Sequence, residues 1–162
     1  LLDKKNVDML IKHGVYSLAE LKSRCEIMLE NYCKTVIIEA NTMVDMAKTQ
    51  IAPAVELFTA DIARGAAAKK ALDASLECSY EKNVVIKLSA LLDRIAAKTD
   101  ELSSALVSVG NAEDIETKAY RIRDEILPLM GELRLACDEA ETLTAKSYWP
   151  FPTYADLLFG VK

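Results

Sequence analysis

From Val85 to Val109 apolar side chains recur in steps of three and four: Val85, Leu88, Leu92, Ile95, Leu102, Leu106 and Val109, with Thr99 the one polar member. That rhythm draws a single apolar seam along a helix of about seven turns and leaves no room for the alternation of a strand. After a break at Gly110-Asn111 the same spacing returns as Ile115, Ala119, Ile122, Ile126, Leu129, Leu133, Ala136, Ala140 and Leu143, in spite of Pro128. Two such helices joined by a very short turn run antiparallel, each about 45 Å long at ~1.5 Å per residue. Asn111 is placed to cap the second one.

A longer helical stretch precedes them. Spacing predicts a short helix over 3–12, stopped by His13-Gly14, and then a long one opened by the capping box Ser17-Leu18-Ala19-Glu20. Its apolar positions are Leu18, Leu21, Cys25, Met28, Tyr32, Val36, Ala40, Met43, Ala47 and Ile51, flanked by Leu29, Cys33, Ile37 and Val44. The pattern continues past Pro53 as Val55, Phe58, Ile62 and Ala66. One helix bent near Ile51 is the favoured reading, and two helices with Pro53 in the first turn of the second is the other. A break is expected within 73–79. Gln50-Ile51-Ala52-Pro53 resembles Glu125-Ile126-Leu127-Pro128, too short a likeness to establish a duplication. The fold class that follows is all-α: an elongated antiparallel bundle of about three long helices with short terminal helices, one domain over residues 1–162.

Function is bounded mostly by what the residues exclude. The 20 basic and 25 acidic side chains give a net charge of −5 with no basic run, which argues against nucleic acid. No apolar stretch approaches the ~20 residues that span a bilayer, so no membrane role is expected. Cys25, Cys33, Cys78 and Cys137 contain no CxxC pair and read as small hydrophobes among apolar helical residues, in keeping with a reducing cytoplasm. The five glycines are too dispersed to form a phosphate-cradling loop. His13 is the single histidine, so neither a triad nor a di-iron bundle with paired Glu-x-x-His motifs can be assembled. Glu26, Glu30 and Lys34 read as a solvated helix face. Catalytic, cofactor-binding and metal-binding residues are therefore all expected to be absent.

The tail is distinctive. Tyr148, Trp149, Phe151, Tyr154 and Phe159 lie within the last fifteen residues, with Pro150 and Pro152 favouring extended backbone before them. Thr153 is placed to cap a short helix carrying Leu157, Leu158 and Phe159. Two readings stand side by side: a strap packed on its own bundle, with Trp149 and Phe151 buried, or an anchor into a neighbouring domain or subunit.

Three segments carry a family resemblance. They are His13 to Arg24 (HGVYSLAELKSR), Leu29 to Thr35 (LENYCKT) with Ile38-Glu39-Ala40 and Asp45-Met46-Ala47-Lys48, and the closing Tyr148 to Tyr154 (YWPFPTY) with Asp156-Leu157-Leu158-Phe159. Together they resemble the type III glutamine synthetases, from just after the catalytic domain to the C-terminus. The resemblance implies a parent enzyme that joins ammonia to glutamate using ATP and a divalent metal such as Mg, in stacked hexameric rings. It implies that the metal and nucleotide residues lie upstream, and none maps onto this chain. The absence of a starting methionine at Leu1 agrees with a domain excised from something longer. The expected role is a non-catalytic structural or interaction domain, whose partners are the catalytic domain of its own chain and further copies of the enzyme. The alternative is a helical regulatory domain that senses a nitrogen metabolite or partner protein, which would need polar groups converging inside the bundle.

Overall fold

The computed structural model describes residues 2–112, 114–152 and 154–160; for Tyr154 and Ala155 only the backbone is described. Every regular element among them is helical. α1 (Lys4–Lys12) is capped by the Asp3 carboxylate, which accepts from the Lys5 amide. Gly14 ends that segment at φ +64°, a left-handed conformation that glycine adopts without a Cβ clash. α2 (Leu18–Met46) opens on the capping box: the Ser17 hydroxyl accepts from Glu20 N, and Ser17 N donates to the Glu20 carboxylate at 2.7 Å.

No loop interrupts the helix at Pro53. A π-turn over Ala47–Ile51 leads directly into α3 (Ala52–Leu72), and the Ala52 amide donates to the Ala47 carbonyl five residues back. The cause is local. Pro53 has no N–H for the usual carbonyl at Thr49, and its ring would press on that carbonyl in an ordinary turn. The same event occurs at Pro128. α5 (Ile115–Arg121) passes through a π-turn over Ile122–Ile126 into α6 (Leu127–Leu143), with Leu127 N bonded to Ile122 O. The two similar tetrapeptides thus share a backbone consequence.

Between these two helices lies α4 (Ser79–Gly110), reached from α3 through residues 73–78. Its direction follows from its partners. The ammonium groups of Lys69 and Lys48 pair with Glu81 and Asp100, so partner numbers rise as those of the first helix fall. On the other side Lys98 meets Glu132 at 2.7 Å, and the Arg121 guanidinium donates to the Ser108 carbonyl at 3.2 Å. α4 is therefore antiparallel to both neighbours and is the axis against which α3 and α6 pack. Leu88, Ile95, Leu102 and Val109 are buried along its seam, with Leu91 turned further inward than Leu92. They interlock with Val55 and Phe58 of the first long helix and with Ile122, Ile126, Leu133 and Ala140 of the last. Thr99 is buried on this seam, and its hydroxyl donates to the Ile95 carbonyl at 2.6 Å. Thr59 and Thr144 satisfy themselves the same way.

Two local expectations are corrected. Asn111 closes α4 and does not cap the next helix. Asp114 does so, its carboxylate accepting from Thr117 N at 2.8 Å from the extended conformation a cap requires. Leu18, Met28 and Tyr32, assigned to the apolar stripe of α2, are exposed. α4 ends before reaching this part of α2, where the short α1, α5 and the π-turn after α5 pack against it, so a narrower face is covered. Among the described residues no helix is long and apolar enough to cross a membrane.

Candidate functional site

The five tail aromatics do not share one environment. Beyond the end of α6 the chain turns at Ala145, whose carbonyl accepts from the amides of Tyr148 and Trp149. This turn lays Tyr148 on α3. Its ring lies 5.2 Å from that of Phe58 in a tilted arrangement, and its hydroxyl donates to the Asp61 carboxylate. Trp149 and Phe151 are half-buried against the core rather than fully enclosed, paired edge to face at 6.3 Å. The Thr153 cap lies outside the described residues, as does the Tyr154 side chain. α7 (Tyr154–Phe159) follows, tied back by Lys146 to Asp156 at 2.5 Å. Its apolar side chains are largely exposed, Leu157, Leu158 and Phe159 at 68%, 69% and 81%, and Leu157 also reaches the cleft described next.

Trp149 and Phe151 roof a cleft of about 530 Å³ between α2 and α6, a size ordinary for small-molecule sites. α6 packs chiefly on α4, so α2 and α6 leave a gap that side chains only partly fill. Met43, Met46, Ile51, Met130 and Leu133 form its apolar walls, and Glu39, Arg134, Asp138 and Glu141 bring charge to it. The sequence patterning could not find this space. Most lining residues lie on recognisable helical faces, but the gap depends on how far apart α2 and α6 sit.

The chemistry available is that of a binding surface. Cys137, on the cleft wall, is pushed up to about 11 by burial, with the Asp138 carboxylate adding to the effect, so its thiol stays protonated and unreactive near neutrality. Burial likewise raises the Cys33 thiol. Among the described residues no three His, Cys, Asp or Glu side chains come together as a metal-holding group. His13 sits at the C-terminal end of α1, beside its glycine stop.

Long antiparallel helices with an aromatic-roofed cleft define an all-α bundle domain. Residues 1–70 match the family model described as glutamine synthetase C-terminal domain. Over 99% of its length the chain is 31% identical to a glutamine synthetase of Butyrivibrio fibrisolvens, and over 96% it is 25% identical to a type-3 glutamine synthetase of Dictyostelium discoideum. A glutamine synthetase of Bacteroides fragilis is 24% identical over 97% of it. The chain is thus similar to glutamine synthetases, and over residues 1–70 to their C-terminal domain. It spans 23%, 22% and 22% of the lengths of those three relatives.

Proposed function

We propose that this chain is a non-catalytic helical domain of a cytoplasmic glutamine synthetase, which supports contacts between subunits of a homo-oligomer. In this reading the ligation of ammonia to glutamate, with its ATP and divalent metal, belongs to a catalytic domain preceding it. The bundle docks on that domain and presents α7 to a neighbour. The observation that carries the reading is the exposure of three successive apolar side chains, Leu157, Leu158 and Phe159. Three large apolar side chains held in water by a six-residue helix favour burial against a partner. The half of the tail from Tyr148 to Phe151 acts as the strap that holds α7 in place, so strap and anchor are successive parts of one segment.

The test is a Leu157→Ser/Phe159→Ser double variant in the full-length enzyme, followed by analytical ultracentrifugation. Loss of two interface side chains raises the concentration at which the oligomer dissociates by about tenfold or more, the equivalent of roughly 1.4 kcal/mol. Unchanged assembly in a folded variant would remove α7 from the interface.

A further inference from the structure

The tail leaves two surfaces unsatisfied side by side. One is the cleft between α2 and α6. Trp149 and Phe151 roof part of it, but its mouth stays open where Ile38 is 65% exposed. Its volume of about 530 Å³ is over three times the ~150 Å³ that holds a benzene ring. Among the described residues no buried side-chain nitrogen or oxygen lacks a hydrogen bond, so the space calls for apolar groups. The other surface is α7. Leu157 lines the cleft, but successive side chains of a helix fan out by about 100°, so Leu158 and Phe159 do not follow it in and are left in water. The chain's own tail therefore does not fill its own cleft.

We propose that the cleft is the receptor for α7 of a second copy of this chain, each copy inserting Leu158 and Phe159 into the other's cleft beside the resident Leu157. Groove and anchor are adjacent on one molecule, an arrangement that a two-fold axis makes self-complementary. One operation fills both clefts and removes both anchors from water, whereas any other occupant of the cleft leaves Leu158 and Phe159 exposed. The mode is a short helix laid in an apolar groove, and the adaptable side chains of Met43, Met46 and Met130 suit the wall of such a groove. Charge does not oppose it. Asp156 of α7 is paired with Lys146, so the helix brings no bare carboxylate to the acidic groups along the cleft. Counting both surfaces of both insertions, the buried area is on the order of 1,000 Å², where specific contacts begin. The inference rests on the reading that α7 joins subunits, and adds where it docks.

In the full-length enzyme Phe159 is replaced by p-benzoylphenylalanine, and the assembled oligomer is irradiated. The expected product migrates at twice the subunit mass on a denaturing gel, and mass spectrometry maps its new bond to residues 38–51 or 130–141. Thr42→Phe, at an exposed position on the cleft, occupies the same space. It should abolish that cross-link and raise the concentration at which the oligomer dissociates by about tenfold or more, while melting normally. A product of single-subunit mass mapping to the cleft, a bond outside those two segments, or no bond at all overturns the proposal. So does a cross-link that survives in a folded Thr42→Phe. If Leu157→Ser/Phe159→Ser weakens assembly and Thr42→Phe does not, α7 keeps its role in assembly and its receptor lies elsewhere. If neither weakens it, both readings fall.

Discussion

Glu81 is a carboxylate buried in the first turn of α4, and it pairs across the helices with the Lys69 ammonium in the last turn of α3. Each charge also complements the dipole of its own helix end, negative at the start of α4 and positive at the end of α3. The Lys69 hydrogen bond, followed by a backbone one, holds the Glu81 carboxyl below its ordinary value of 4.5. A carboxyl depressed on folding contributes stability that is present above its unfolded value and is lost as pH falls through the folded one. Glu81→Gln should therefore lower Tm by a few degrees at neutral pH and flatten its decline between about pH 5 and pH 3. Superimposable melting curves at pH 7 would show that the pair contributes nothing. This pair was not legible beforehand. Lys69 and Glu81 stand out neither by spacing nor by type, and only the path of the intervening turn brings them together. Thr99 was legible, because a lone polar residue on a regular seam has to be buried and bonded to its own helix.

At the scale of elements, the prolines show how a helix absorbs a missing donor. Inside a regular helix proline costs about 3 kcal/mol or more. Here each follows a π-turn whose last hydrogen bond spans five residues, so the strained carbonyl is already displaced. Pro53→Ala and Pro128→Ala should leave helix content unchanged or slightly higher by far-UV circular dichroism. Stability should shift by less than about 1 kcal/mol, well short of the full interior penalty. A marked loss of helicity in either variant would mean that the proline itself maintains the turn. The helical continuity past Pro53 could be read from Val55, Phe58 and Ile62 holding the phase of the preceding stripe. The π-turn could not, because widening by one residue changes hydrogen bonding more than it changes which side chains face inward.

For the whole molecule the decisive feature is that the two outer long helices share one central partner, α4, and meet each other at α2 and α5 while leaving a gap between α2 and α6. The tail closes the resulting gap, and Trp149 is its largest piece. Trp149→Ala should lower the unfolding free energy of the chain by about 1–3 kcal/mol in urea, followed by circular dichroism because the variant has no tryptophan left. That is less than a fully buried ring would give, since this one is half-buried. An unchanged midpoint would show that the tail is not held by this ring.

Legible from the residues alone were the helical class, the three long segments, the start at Ser17, the end at Gly110, a break within 73–79, and most of the α4 seam. All of these follow from short-range periodicity and from capping chemistry within a few residues. The sequence also carried the family likeness at both ends. Tertiary structure alone decided which face of α2 is covered, that Asp114 and not Asn111 caps α5, and how the tail divides into packed and exposed halves. It alone created the cleft, because an enclosed volume depends on the distance between helices and on what reaches across it. No local pattern in the chain records that distance.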